Sequence, residues 1–487
     1  MSRSPSLPTG HSGRPRRAVV VGGGLAGMLT AAVLARATDA VDEVMVIERD
    51  TLPEGPRARK SLPQARHTHL LWSGGARAFE SLLPGITDRW LAAGARRIPL
   101  PTGLVTMTAQ GWMRRWSEMQ YVIACSRDLL DWVVREQVLP LPSVTVLERT
   151  DFLGLVGGPD RVTGARVRTP EDGEQILHAD LVIDASGRGS QAPAWLEALG
   201  VGPIEEAEVD SGLVYASRVY RAPEGTEDFP IVNVQSDPRV PVPGQTATIV
   251  PVEGARWLVT LSGTRGGEPT RDPAGFEPFA RSVRHPVVGE LISQTTPLTD
   301  EVTLSRSTVN RRRYFEKARH WPEGFIAVGD AVATYNPVYG QGMSVAAQGI
   351  TALRDQLASG PSAYDRLRAP GLARHVQRAI GRRAAFAWEL ATSQDILYPG
   401  AKGKQPPAAA KLLNRYVDRF METATDRAVV AQALFDVMTM SAPPTAWVHP
   451  DIAVAVMRGR GKPPLQGPPL TADELKAAAS GPPASGL

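Results

Sequence analysis

The chain has 487 residues, of which 43% are hydrophobic and 21% charged, so it is long enough for two or three domains and carries no apolar run that could span a bilayer. Its net charge of +4 is spread among 54 basic and 50 acidic residues without a basic stripe, which argues against a nucleic-acid partner. A single cysteine, Cys125, excludes an intramolecular disulfide and is compatible with a cytoplasmic protein.

A complete mononucleotide-binding unit begins at residue 17. A buried strand, a G-x-G-x-x-G turn, a helix, a second strand and a terminal acid are predicted at 18–21, 22–27, 25–37, 44–47 and 48. The glycines let backbone approach a pyrophosphate, and the helix N-terminus favours its charge. Glu48 stands where an acid accepts hydrogen bonds from ribose, which favours FAD or NAD(H) over NADP(H). The cofactor-binding residues predicted here are Gly22, Gly24, Leu25, Ala26, Gly27, Glu48 and Arg49.

The segment after Glu48 is rich in Pro and Arg and predicts a loop that lies across the nucleotide. Its cationic and imidazole side chains offer contacts to phosphate or to an electron-rich ring, and Lys60 is placed among the cofactor residues. The alternative is a solvated basic loop. The other side chains of this kind are Arg57, Arg59, Arg66, His67 and His69. The two histidines alternate without a third ligand, so no metal site is expected.

A strand end followed by an amphipathic helix is predicted at 124–139, with Ser126 as its N-cap. Arg127 stands in the first turn, where a positive charge opposes the helix dipole. We therefore expect Arg127 to have an anionic partner, and it is a candidate cofactor-binding residue.

Short apolar runs joined by Gly and Pro turns predict strands between residues 143 and 262. They are expected at 143–148, 161–169, 177–184, 214–220, 246–251 and 256–262. The strand that ends at Asp184 leads into a turn with Gly187, which brings backbone close to the cofactor or is only a tight turn. The later strands predict an antiparallel sheet, a natural wall for a substrate pocket.

A second signature spans residues 321–353. It predicts a buried strand at 325–328, a loop, and a helix at 344–353. Asp330 could accept a ribityl hydroxyl or hold water near the pyrophosphate. The helix N-terminus, with Met343, could stabilise negative charge on a reduced flavin. The loop residues predicted to lie at the flavin ring, mainly through backbone, are Pro337, Gly340, Gln341 and Gly342.

The strings GGGLAG, DLVIDASGRGS and AVGDAVATYNPVYGQGM, with Glu48 and the Ser126-Arg127 pair, resemble the single-component flavin monooxygenases of the p-hydroxybenzoate hydroxylase fold. The resemblance covers nearly all of residues 17–355. Longer strings, RKSLPQARHTHLLWSGGAR, ACSRDLLDWVVRE and ATSQDILYPG among them, look like the FAD-dependent alkene epoxidases of bacterial polyether ionophore biosynthesis. Gln341 departs from the histidine expected there and cannot carry a proton charge near neutral pH.

The resemblance implies an α/β fold, in which a Rossmann-like FAD-binding domain is joined to an antiparallel β-sheet substrate domain and a C-terminal helical region. The predicted organisation is a disordered leader at 1–16, a discontinuous FAD-binding domain at 17–200 and 305–360, a substrate domain at 201–304, a helical region at 361–462 and a mobile tail at 463–487.

The resemblance also implies the chemistry. FAD is the cofactor, O₂ the co-substrate, and NAD(P)H reduces the flavin directly or through a flavin reductase. A flavin C4a-hydroperoxide transfers its distal oxygen to an alkene of a hydrophobic polyene polyketide, and the protein holds the alkene and excludes water. A flavin reductase and an acyl carrier protein are candidate partners.

Three alternatives remain open from the sequence. Aromatic hydroxylation uses the same intermediate but requires a base that deprotonates a phenol, and no such base is identified. A flavin dehydrogenase or geranylgeranyl-type reductase shares much of the scaffold and would not use O₂ as the oxygen-atom donor. A non-enzymatic flavin-binding protein fits two cofactor signatures and a second domain less well.

Overall fold

A computed structural model describes residues 15–360, 362–405 and 410–480. The predicted leader lies outside the described residues, except for residues 15 and 16. The strands are β1 (Arg17–Val21), β2 (Glu43–Ile47), β3 (Leu70–Trp72), β4 (Arg96–Leu100), β5 (Leu104–Thr108), β6 (Gly111–Trp112), β7 (Gln120–Ala124), β8 (Val144–Leu147), β9 (Asp151–Gly157), β10 (Val162–Thr169), β11 (Gly173–His178), β12 (Leu181–Asp184), β13 (Glu206–Asp210), β14 (Val214–Arg221), β15 (Ile231–Val234), β16 (Gln245–Val252), β17 (Arg256–Gly263), β18 (Thr303–Ser305), β19 (Asn310–Arg313), β20 (Phe325–Ala327), β21 (Ala333–Thr334) and β22 (Lys402–Gly403).

Helices cover the faces of the sheets. They are α1 (Leu25–Arg36), α2 (Ser73–Leu82), α3 (Ile86–Ala92), α4 (Arg127–Val138), α5 (Ala192–Ala198), α6 (Pro273–Ser282), α7 (Val287–Ile292), α8 (Gly342–Ala358), α9 (Ala363–Arg368), α10 (Leu372–Asp395), α11 (Ala410–Ala424), α12 (Ala428–Met438), α13 (Pro450–Arg458) and α14 (Ala472–Ala479). Within the described ranges, none of these helices is both long and apolar enough to cross a membrane.

A five-stranded parallel sheet, in the order β20-β12-β1-β2-β8, contains both strands of the unit predicted at residues 17–48. Residues 18–21 of β1 are at most 5% exposed, as expected of a central strand buried on both faces. The predicted strand at 177–184 is in fact two strands. The chain changes sheets at Ala179 and Asp180, because β11 pairs antiparallel with β10 whereas β12 pairs parallel with β1.

The second large sheet has seven strands in the order β18-β14-β17-β16-β15-β5-β6. Its centre is antiparallel, and β5 joins it in parallel alongside β15. The predicted substrate domain at 201–304 therefore omits two strands, β5 and β6, that come from residues 104–112. One face packs on α6 and α7. The other faces α11, α12 and the small sheet β3-β7-β4.

The chain from residue 463 differs from the predicted mobile tail as far as it is described. Leu465 forms a β-bridge with Trp112, and α14 begins with a capping box between Thr471 and Glu474. Ala478 is 3% exposed within the core beneath α6 and α7. Residues 463–480 thus pack on the seven-stranded sheet, while residues 481–487 lie outside the described residues.

Candidate cofactor site and substrate chamber

In the glycine-rich turn, an added Cβ atom would fit at one glycine and would clash with backbone at the other two. Gly22 has φ +103°, and a Cβ there would lie 2.6 Å from the Ala185 carbonyl oxygen. A Cβ on Gly27 would overlap the Gly22 carbonyl oxygen, so this glycine lets α1 pack on the turn. A Cβ on Gly24 would meet no atom within 4 Å. Gly24 is the N-cap of α1, so open space adjoins the amides of Leu25 and Ala26, which have no intrahelical acceptor.

Glu48 lies beside this turn as predicted, and a neighbouring arginine holds it. The Glu48 carboxylate is 5% exposed and accepts a 2.9 Å hydrogen bond from the Gly23 amide. Arg59 donates to the same carboxylate oxygen and to the Gly23 carbonyl oxygen. Arg59 is thus the member of the basic loop that contacts both Glu48 and the glycine-rich turn. Arg49 and Lys60, both predicted to bind the cofactor, have exposed side chains.

Asp330 lies between the N-termini of two helices. Its neighbour Gly329 has φ +59°, and a Cβ on Gly329 would lie 3.0 Å from the Ala26 Cβ on α1 and 3.6 Å from the Ala346 Cβ on α8. Burial raises the pKa of Asp330, while Arg188 and Arg127 act in the opposite direction. The structure therefore places the two helix N-termini, one acid and two cations around a single site. The sequence analysis missed Arg188, although the DASGRGS string contains it.

Arg127 has the anionic partner that the sequence predicts, and it comes from the arginine's own helix. Its Nε donates to Asp131 Oδ1 at 2.6 Å, and Ser126 caps α4 by accepting from the Leu129 amide. Burial and the Arg127 charge lower the pKa of His69 to about 3, so this histidine is neutral at pH 7. His69 Nδ1 pairs with the His67 carbonyl oxygen.

The loop at 336–342 is packed on an indole and leads directly into α8. Trp72 Nε1 donates to the Tyr339 carbonyl oxygen at 3.3 Å. Gly340 packs on the same indole ring and has φ +65°. Val345 is the first amide to bond within α8, so the amides of Gly342 and Met343 are open to a ligand. Gln341 is 1% exposed, and its side chain donates to the Met438 carbonyl oxygen, so the side chain ties the loop to α12.

A buried carboxylate, which the sequence analysis missed, accepts hydrogen bonds from the same loop. Asp395, the last residue of α10, is 1% exposed and accepts from four donors. These are Tyr339 Oη at 2.9 Å, Asn336 Nδ2 at 2.8 Å, Asn310 Nδ2 at 2.7 Å and Ser211 Oγ at 3.4 Å. Burial raises the pKa of Asp395. The string ATSQDILYPG contains it, but nothing local distinguishes it from a surface helix end.

Asp184 and Gly187 shape the turn that closes against Gly22. The Asp184 carboxylate is fully buried and accepts from the Ser186 amide and from the hydroxyls of Ser186 and Ser190. Gly187 has φ +79°, and a Cβ there would meet no atom within 4 Å. The Asp184 side chain therefore supports the turn, and the turn's backbone is what lies beside the glycine-rich loop.

The face of the seven-stranded sheet that points towards α11 and α12 carries side chains that are only partly buried, and it meets the loop where Tyr215 Oη donates to Asn336 Oδ1 at 3.0 Å; we call the space beside these side chains the chamber. Its apolar side chains include Trp72 and Val219, which are partly buried and pack on the core that Leu258 forms with α11 and α12. His67 closes another side: it is 5% exposed, and its Nδ1 lies 2.8 Å from Ser217 Oγ. Burial lowers the pKa of His67 to about 4. In the described part of the chain, no group of three or more His, Cys, Asp or Glu side chains could hold a metal ion.

Comparison with known proteins adds sequence and fold evidence. The sequence model of a family described as "FAD binding domain" matches residues 16–362. Protein Rv3254 of Mycobacterium tuberculosis is 30% identical over 444 residues, which are 87% of this chain and 90% of that protein. A kynurenine 3-monooxygenase of Salinispora arenicola is 27% identical over 380 residues, covering 73% of this chain and 77% of the relative.

Two solved structures show the same fold at low identity. The p-nitrophenol 4-monooxygenase PnpA of Pseudomonas putida DLL-E4 superposes with a TM-score of 0.56 at 17% identity, covering 92% of this chain and 99% of that one. The myxobacterial chondrochloren halogenase CndH superposes with a TM-score of 0.58 at 15% identity, covering 88% and 98%.

Proposed function

The chain belongs to the FAD-binding-domain family of flavin monooxygenases with the p-hydroxybenzoate hydroxylase-like fold, and from this premise we propose that it epoxidises carbon–carbon double bonds of a linear polyene polyketide in polyether biosynthesis. Membership of a FAD-dependent monooxygenase family follows from the family match together with the similar monooxygenases. The alkene as the reacting group and the polyketide as substrate are the proposal.

The residues present fit FAD. Open space at Gly24 and the free amides of α1 suit a pyrophosphate, and Glu48 lies at the end of β2 to accept from ribose. The amides of Gly342 and Met343 suit the electron-rich edge of an isoalloxazine ring. When bound and reduced, FAD activates O₂ and supplies one oxygen atom to the substrate.

The chain's own contribution is to bind, orient and exclude water. The α8 N-terminus and loop backbone stabilise negative charge at the ring, and Asp395 holds that loop through Tyr339 and Asn336. The observation that carries the proposal is the apolar lining of the chamber, in which Trp72 is hydrogen-bonded to this loop and Val219 is partly exposed. An alkene needs no base to deprotonate it, and an apolar wall can hold it by shape.

The test is an incubation of FAD-loaded protein with ¹⁸O₂, a linear polyene polyketide and NAD(P)H, with and without a flavin reductase, followed by mass spectrometry. We expect one labelled oxygen per modified alkene and no loss of hydrogen. An unlabelled product that has gained or lost two hydrogens would contradict the proposal and favour a reductase or dehydrogenase. The two reductant arms show whether the proposed flavin reductase is required, and a carrier-bound substrate arm tests the acyl carrier protein.

Aromatic hydroxylation is the second candidate, and the similarity to kynurenine 3-monooxygenases favours it. His67, Ser217 and Thr260 form a hydrogen-bonded chain that could take a proton from a phenol. A labelled hydroxyl on an aromatic substrate, with no labelled epoxide from any polyene, would select this reading.

A further inference from the structure

The chamber face of the seven-stranded sheet is divided into a polar and an apolar half. Strand register places the hydroxyl and amide side chains of five neighbouring strands side by side. One step further along the same strands and on the same face, the side chains are all aliphatic. The polar half comprises Tyr215, Ser217, Thr260, Ser262, Thr246, Thr248, Asn233 and Thr106, and the apolar half Val219, Leu258, Val250, Ile231 and Leu104.

Hydrogen bonds within the polar half satisfy most of its groups. Ser217 Oγ and Thr260 Oγ1 are 2.6 Å apart, and Thr246 pairs with Ser262. These residues are buried, and such pairing is what makes a polar group tolerable in a core. Any polar group left with free hydrogen-bonding capacity in this half therefore stands out.

Asn233 and Thr248 have donors to spare. Asn233 Oδ1 accepts from Thr106 Oγ1 at 3.2 Å, and Asn233 Nδ2 donates to Thr248 Oγ1 at 2.7 Å. The second Asn233 amide hydrogen and the Thr248 hydroxyl hydrogen have no acceptor among the described residues. Both side chains are partly exposed although they lie on the central strands β15 and β16, so they border the chamber's open space.

His67 packs against this polar half and also has an unused hydrogen-bonding atom. His67 Nδ1 pairs with Ser217 Oγ, and its ring lies 5.6 Å from that of Tyr215. Its Nε2 is buried and has no partner in the described part of the chain. A buried polar atom without a partner costs free energy, and a ligand bound against the polar half would supply that partner.

We propose that the substrate is amphipathic and that a carbonyl or hydroxyl oxygen of it accepts hydrogen bonds from Asn233 and Thr248. Its apolar, alkene-bearing segment then packs against the apolar half at Val219 and against Trp72, which contacts the loop at 336–342. This inference rests on the proposed function and adds an oxygen-bearing group to the substrate at a fixed place. A purely hydrocarbon polyene leaves the two donors desolvated and unpaired, which disfavours its binding.

The test compares two ligands that differ only in one oxygen. Geranylacetone carries a ketone on a diene chain, and 2,6-dimethylundeca-2,6-diene is the same chain without it. Dissociation constants are measured on the FAD-loaded protein by perturbation of the flavin spectrum and by quenching of tryptophan fluorescence. We expect Thr248→Val to weaken geranylacetone binding by about three- to tenfold, the range of one neutral hydrogen bond, and to leave hydrocarbon binding unchanged.

Two further variants separate this effect from damage to the fold. Thr248→Ser keeps the hydroxyl and should restore the preference for the ketone. Thr163→Val, at an exposed position on β10, should change neither constant. Equal losses for both ligands in Thr248→Val, or no preference for the ketone in the unaltered protein, would overturn the inference. If that preference holds but ¹⁸O₂ leaves no label, the epoxidase proposal fails and the binding subsite stands.

Discussion

Asp395 is the residue through which α10 holds the loop at 336–342. In Asp395→Asn, an amide N–H₂ replaces one carboxylate oxygen and faces either the Tyr339 hydroxyl or the amide donors of Asn336 and Asn310. Leaving buried donors unpaired costs about 1–3 kcal/mol, so we expect a loss of that size in the free energy of unfolding. We also expect the dissociation constant of FAD, measured by flavin fluorescence, to rise about tenfold or more as the loop loosens.

A matched control for this variant lies on the solvent side of α8. Asp355 pairs with Arg354, and its carboxylate is 61% exposed. Asp355→Asn removes only a surface ion pair, worth at most about 1 kcal/mol. Similar FAD constants for the two variants would show that Asp395 does not position the loop.

His67 makes stability depend on pH in a defined direction. Burial lowers its folded pKa from 6.5 to about 4, so the unfolded chain binds a proton between these values that the folded chain does not. The contribution of His67 to the free energy of unfolding is therefore fully present above pH 6.5. It is lost as the pH drops towards 4, by at most about 1.4 kcal/mol per pH unit for one proton. His67→Asn should flatten this slope in urea unfolding at pH 7, 6 and 5. Replacing the exposed His375 by Asn should not, and an unchanged slope in His67→Asn would contradict the assigned burial.

At the scale of elements, two glycines of the glycine-rich turn have different roles: Gly24 leaves space for a ligand, and Gly27 allows α1 to pack on the turn. Gly24 has φ −80° and ψ −175°, which alanine adopts readily, and open space beside it. Gly24→Ala should leave the unfolding temperature of the FAD-free protein unchanged within about 1 °C and should weaken FAD binding about tenfold or more, because the new methyl occupies the ligand's space. Gly27→Ala should instead unfold the domain, since its Cβ overlaps the Gly22 carbonyl oxygen. Retained FAD affinity in Gly24→Ala would show that the pyrophosphate does not bind beside Gly24.

The elements that could be predicted from sequence are those whose signal is local. The strand, glycines, helix and acid of residues 17–48 appear with bounds within one or two residues of those expected, because burial, turn geometry and helix capping are all written in neighbouring residues. The role of Arg59 was not separable from that of Lys60, since only the folded loop shows which cation turns inwards to Glu48. Asp395 is hydrogen-bonded to residues up to 184 positions away in the sequence, and no local sequence pattern predicts such a contact.

At the scale of the whole molecule, the chamber is assembled from parts that the chain order keeps far apart. Strand β5 pairs in parallel with β15 from more than 100 residues away, and α11 and α12 close the chamber from the other end of the chain. Parallel pairing between such short, distant strands leaves no turn signature. The second sheet was therefore predicted as a unit confined to residues 201–304, whereas the folded protein completes it with residues 104–112.

The segment 463–480 shows what this assembly implies for stability. Arg115 forms two hydrogen bonds to the Glu474 carboxylate at 2.6 and 2.7 Å, and Leu465 and Leu470 pack against the same core that contains the buried Ala478. Ending the chain after residue 462 should lower the free energy of unfolding by about 2–4 kcal/mol through lost apolar burial and the broken ion pair. Because this segment packs on the seven-stranded sheet rather than on the parallel sheet, FAD occupancy should survive this truncation while geranylacetone binding weakens. Loss of FAD with unchanged stability would contradict this division of the molecule.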